Sequence, residues 1–276
     1  MLIDTFCFFQ EVDLAEMRFK LLDEYVDLFI VCESNRRHSG GYKEYIFEKN
    51  IERFSKWKNK IVYLQLDQTD DTLVFNKVDT YSPENSSWYL EQQQRMGLLL
   101  AQDIIPDDAI TLISDLDEYP SPDIITQKEQ ILQALSQVEA LSLVQQFHYY
   151  FLNCRCETGN DVLWNGTVIT TGKVFKEKGP QYFRDNRNHF NRIQNGGWHF
   201  SYCGSVEAIK AKIQSFAHTE FNRPDITSEH NITEAMEKGK DVFNRPGVSY
   251  KFHPISDYPE YLQKLMLEYP QFVKQI

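Results

Sequence analysis

Thr111-Leu112-Ile113-Ser114-Asp115-Leu116-Asp117-Glu118-Tyr119-Pro120 is an apolar run that ends in three carboxylates. The run reads as a strand from Ala109 to Ile113. If the chain stays extended beyond it, Asp115 and Asp117 project from one face while Leu116 points back into the core. Two hard oxygen donors on one face suit Mn2+ or Mg2+, with water and substrate phosphates filling the other positions. In an open α/β sheet, ligands gather beyond the carboxyl ends of the strands, where these acids would stand. An Asp-x-Asp tripeptide alone also describes a solvated acidic turn, and it is the strand before it that favours the metal.

Upstream, Leu2 to Phe9, Leu28 to Cys32 and Ile61 to Leu66 read as three further strands. Asp13-Leu14-Ala15-Glu16 reads as a capping box opening a helix whose stripe is Leu14, Met17, Leu21 and Tyr25. Ser86 or Ser87 can cap a helix through Trp88, Arg95 and Leu99, and Ser121-Pro122 opens another. This alternation predicts an α/β fold with helices on both faces of a largely parallel sheet. From Leu141 the texture changes to aromatic strands through Tyr149-Tyr150-Phe151, Trp164 and Val168 to Phe175, then a Gly196-Gly197-Trp198 turn. A helix capped by Ser205 and carrying Val206, Ile209, Ile213 and Phe216 follows, then one ending near Gly239. No repeat or low-complexity linker divides the chain. Residues 1–276 are expected to form one domain, with 1–120 as the nucleotide-sugar half and 121–276 as the acceptor-side half.

The 276 residues are 42% hydrophobic and carry a formal net charge of -11, which argues against a nucleic-acid backbone as partner. Five cysteines, scattered apart from Cys154 and Cys156, do not suggest a disulfide framework, and a zinc site from those two with Cys203 and His199 lacks the usual spacing. The start, Met1-Leu2-Ile3-Asp4-Thr5-Phe6, has neither a basic flank nor a long apolar run. The expected location is the cytoplasm, with no membrane span.

Five stretches together resemble glycosyltransferase family 17: Glu11 to Arg18, Val26 to Asn35, Ile113 to Pro120, Gly196 to Tyr202 and Ser215 to Asn222. The resemblance implies a GT-A-like, Rossmann-type nucleotide-binding fold and a UDP-sugar donor, UDP-GlcNAc above others. It also implies inversion at the anomeric carbon and a glycan or glycolipid acceptor. Unlike the animal members, the chain begins without a membrane anchor and stem, which leaves the acceptor open.

The metal would be held by Asp115, Asp117 and His199, although a histidine between Trp198 and Phe200 also suits an aromatic core. Glu33 follows the second strand, where GT-A enzymes generally keep an acid for base and ribose, and Asn35 and Arg37 could reach the same ligand. Glu11 could serve the nucleotide or the dipole of the following helix. Arg95 could fork onto the donor diphosphate or lie at the surface. Trp198 is a stacking platform or core filler. An inverting transfer needs a base, with Glu220 the first choice and Glu118 and Asp185 its rivals. Two other classes compete: a haloacid-dehalogenase-like phosphatase, which also uses Asp-x-Asp after a strand, and a non-catalytic carbohydrate-binding protein.

Overall fold

A computed structural model describes residues 1–75 and 78–276. Ten strands are present among them: β1 Leu2–Phe8, β2 Leu28–Ser34, β3 Ile61–Leu66, β4 Ile110–Asp115, β5 Glu118–Pro120, β6 Ala140–Tyr149, β7 Cys154–Thr158, β8 Leu163–Thr171, β9 Asn191–Ser201 and β10 Ser249–Phe252. They form one sheet in the order β10-β7-β6-β8-β4-β1-β2-β3, with β9 paired to both β6 and β5. The run β4-β1-β2-β3 is parallel throughout, which is the Rossmann-type half of the expected GT-A-like α/β fold. β8 joins it antiparallel to β4, so the sheet continues unbroken into the second half.

Strand periodicity accounts for the two covered faces. Leu2, Phe6 and Phe8 of β1 and Phe29 and Val31 of β2 pack with Leu14, Met17 and Phe19 of the helix Val12–Leu22. The alternate residues Ile3, Ile30 and Cys32 pack on the other face with Leu98 and Ala101 of the 3₁₀ segment Gly97–Ile104. A strand buried on both sides is a continuous apolar run, as the sequence reads here. Among the described residues no helix is long and apolar enough to cross a membrane, and all five cysteines are free.

Several local expectations are corrected. The first helix begins at Val12 with no side-chain cap; Asp13 is instead ion-paired with Arg53. The helix Ser86–Met96 is capped by Asn85, whose side chain accepts from the Ser87 amide. The strand expected to reach Phe175 stops at Thr171, whose hydroxyl caps the helix Gly172–Lys178. Ser205 and Gly239 cap and end their helices as read.

Gly196-Gly197 is not a turn but part of β9, at a register shift against Leu143 and Gln145 of β6. Gly197 has φ +129°, and a Cβ there would lie 2.0 Å from the Tyr119 carbonyl oxygen of β5. Gly197→Ala is therefore expected to cost roughly 3 kcal/mol, read by urea denaturation. An unchanged midpoint would show that β5 can give way.

Candidate active site

β1, β4 and the turn after β4 open onto a cavity of about 800 Å³, at the carboxyl ends of parallel strands where α/β folds bind ligands. Asp115 is the last residue of β4 and Asp117 lies in the turn that follows. Both line the cavity, as do Glu11, Arg95, Asp185, His199 and Glu220.

What holds the turn is Arg18, from the helix Val12–Leu22. Arg18 is fully buried and forks onto Asp4 of β1 with both contacts at 2.7 Å. Its remaining nitrogen donates to the carbonyls of Leu116 at 3.1 Å and Glu118 at 2.6 Å. Sequence reading assigned Arg18 no role, although a charged residue between Leu14 and Leu21 on a helix that packs on the sheet was a usable signal.

The carboxylates are surrounded by basic side chains. Asp115 meets Arg184 at 2.7 Å and Arg95 at 3.2 Å, while Asp117 meets Lys212 at 2.9 Å and His199 at 3.2 Å. Burial alone would raise both carboxyls. Arg184 and Arg95 around Asp115, and Lys212 and His199 around Asp117, outweigh it and hold both well below the usual carboxylate range. Lys212 also reaches Glu11 at 2.9 Å; burial opposes its charge, but Asp117 and Glu11 keep it protonated. Arg184 and Lys212 come from the helices Pro180–Asn186 and Val206–Ser215, far along the chain, and nothing in the local sequence singles them out.

The donor chemistry of Asp115, Asp117 and His199 fits a divalent cation. Two carboxylates face the cavity beside an imidazole, and the His199 Nδ1 is buried with no hydrogen-bond partner. The ring is boxed by Phe147 and Trp164, with centroids 4.8 and 5.0 Å away. Among the described residues no three His, Cys, Asp or Glu side chains are grouped so that they could hold a metal ion; Asp115 faces Arg184 and Arg95, and Asp117 faces Lys212. Two carboxylates would leave most of the shell of a Mn2+ or Mg2+ to water and substrate oxygens.

Five predicted site residues lie elsewhere. Glu33 is buried and its carboxylate accepts from Lys43 at 2.5 Å, the amides of Ile46 and Phe47 at 2.6 and 2.9 Å, and the Tyr63 hydroxyl at 2.7 Å. It fastens the start of the short helix Ile46–Lys49 and has no oxygen left for a nucleotide. Asn35 ties down the loop after β3 through Asp67 and the Gln68 amide. Arg37 is exposed. Trp198 is buried against Phe200 and Tyr261. Glu118 is fully buried, receiving Arg184 and the Trp164 indole at 2.8 Å each and the Asp115 amide at 2.9 Å, so it shapes the turn and is not a free base. Neither Glu118 nor the other four line the cavity.

Of the remaining base candidates, Glu220 is bonded by His218 Nδ1 at 2.8 Å and Asp185 by Gln181 at 2.8 Å. Phe8, Phe9, Tyr81 and Trp88 also line the cavity, with Tyr81 and Trp88 packed on His218, ring centroids 5.9 and 4.7 Å away.

The family model of glycosyltransferase family 17 matches residues 1–273. The human β-1,4-mannosyl-glycoprotein 4-β-N-acetylglucosaminyltransferase is 24% identical, over 77% of this chain and 42% of the human protein. The chain thus spans less than half the length of that relative. Among solved structures, the 2-C-methyl-D-erythritol 4-phosphate cytidylyltransferase of Francisella tularensis is similar at a TM-score of 0.35 and 10% identity, over 76% of this chain and 98% of that one.

Proposed function

We propose, from the premise that the chain belongs to glycosyltransferase family 17, that it transfers N-acetylglucosamine from UDP-GlcNAc to a glycan or glycolipid acceptor, with inversion and with a divalent metal. The observation that most supports this reading is the meeting of Asp115, Asp117 and His199 with Arg95, Arg184 and Lys212 on one wall of a cavity large enough for a nucleotide sugar. Family membership sets aside the phosphatase reading. The free cysteines suit a reducing compartment, in keeping with a cytoplasmic enzyme.

Asp115, Asp117 and His199 would hold Mn2+ or Mg2+, which supplies Lewis-acid charge to the departing diphosphate. Arg95 is held by Gln181 at 2.7 Å and Glu91 at 2.8 Å as well as by Asp115, so it sets the charge around Asp115 and does not offer a free fork. Lys212 bonds both Asp117 and Glu11, and with Asp117 engaged by a metal it would still have Glu11 as its partner. Phe9 provides a face for the nucleobase, whereas Tyr81 and Trp88 pack on His218. Glu220, oriented by His218, takes the acceptor hydroxyl proton, with Asp185 as the rival to be separated by substitution.

The test is turnover. UDP release from UDP-GlcNAc and the new glycoside are followed with a panel of mannose-containing acceptors, with Mn2+ and again after chelation. A β-linked product that forms only with metal is expected. Equal turnover after chelation would remove the metal from the reading, and hydrolysis of phosphate esters in place of transfer would remove the transferase.

A further inference from the structure

Arg187 follows the helix Pro180–Asn186 and has no role in the turn that carries the carboxylates. Its guanidinium lies over the Trp164 indole, 4.2 Å from the ring centroid, and it lines the cavity together with Arg184 and Trp164. Its Nη1 is buried and has no hydrogen-bond partner. That same Nη1 faces the Glu118 carboxylate at 3.8 Å, an ion pair beyond hydrogen-bond reach. The facing Glu118 oxygen already receives Arg184 and the Trp164 indole N–H. Arg184 meanwhile spends its other nitrogen on Asp115. The two carboxylates are therefore consumed by Arg184, and Arg187 is the surplus cation. Burial, and then the charge of Arg184, push its pKa down to about 10, which leaves it protonated at neutral pH.

A guanidinium that is ion-paired but short of hydrogen-bond acceptors still has donors to give, and Arg187 is partly exposed on the cavity wall, where a ligand oxygen can take them. Trp164 fixes the plane of the fork, so little side-chain freedom remains to be lost on binding. We propose that Arg187, laid on Trp164, is an oxyanion-binding residue that takes a phosphoryl or carboxylate oxygen of the substrate. The oxygen comes either from the donor diphosphate or from an acidic sugar of the acceptor. The assignment of those two sources rests on the transferase reading, whereas anion binding itself does not.

Inorganic pyrophosphate and methyl glucuronide are titrated calorimetrically into the full chain, wild type, Arg187→Gln and Arg187→Lys, at constant ionic strength. Loss of a charge-assisted hydrogen bond is expected to weaken one of the two probes by roughly tenfold or more in Arg187→Gln. Arg187→Lys, which keeps the charge but not the fork, should recover part of the loss. A loss confined to pyrophosphate assigns the oxygen to the donor, and one confined to the glucuronide assigns it to an acidic acceptor. Unchanged binding of both overturns the proposal, and if the Gln variant does not fold, unchanged binding in the Lys variant does so. A wild type that binds pyrophosphate through Arg187 yet transfers no sugar would sink the transferase reading and leave this site standing.

Discussion

Asp117→Asn is expected to leave the fold intact and to remove metal-supported donor binding. The backbone role of the residue survives, because its carbonyl still accepts from the Phe200 amide at 2.8 Å. Lys212, deprived of one partner, keeps Glu11 at 2.9 Å. The amide has the shape of the carboxylate without its charge, and it is a poor ligand for a hard divalent cation. Since Lys212 and His199 hold the Asp117 carboxyl well below the usual range despite its burial, the wild type presents a full negative charge at any working pH. Losing a charge-stabilising group at a reacting centre typically costs about 10²–10³ in kcat. Mn2+ binding in the presence of UDP, turnover and the thermal midpoint are measured together. Unchanged turnover at an unchanged midpoint would take Asp117 out of the metal site.

Arg18→Met should produce the largest loss of stability. Arg18 and Asp4 are both fully buried and joined by a two-pronged contact, and the same guanidinium holds the carbonyls of Leu116 and Glu118. Removing it leaves the buried Asp4 carboxylate and the Leu116 carbonyl without this donor, while the Glu118 carbonyl keeps the Thr167 hydroxyl at 3.2 Å. Breaking one partner of such a pair costs about 3–5 kcal/mol, which urea denaturation resolves. The double variant Asp4→Leu with Arg18→Met should recover much of that loss, because the stranded charge goes with it. Its metal affinity should nevertheless stay below wild type, since the turn bearing Asp117 has lost its anchor. Full stability in Arg18→Met alone would mean that the turn is held by other contacts.

The parallel strands were legible as short apolar runs, the half-buried edge strand included. Ile61–Leu66 runs as read, and β1 and β2 begin at the residues expected. Their far ends were harder to read. β2 continues through Glu33-Ser34 and β4 through Asp115, because polar residues at strand ends look like loop until their partners are known. Glu33 is the clearest case. Its acceptor needs are met by Lys43, Ile46, Phe47 and Tyr63, which lie 10 to 30 residues away, so a core acid was taken for a ligand-binding one. The pair Asp115 and Asp117 could be read because strand and acids adjoin in sequence. Arg184, Arg187 and Lys212 could not, since only tertiary packing carries their helices to that pair. The double glycine reads as a turn because the reason for it, the close approach of the Tyr119 carbonyl to Gly197 within a strand, lies outside the local sequence.

The central claim is that this cavity binds a nucleotide sugar through a divalent cation at Asp115 and Asp117. Its most direct test is calorimetric titration of UDP-GlcNAc into the protein with Mn2+ present and again after chelation. Saturable binding that UDP competes away and that vanishes with the metal is the predicted result, whereas equal binding without Mn2+, or none to any UDP-, GDP- or CMP-sugar, would contradict it.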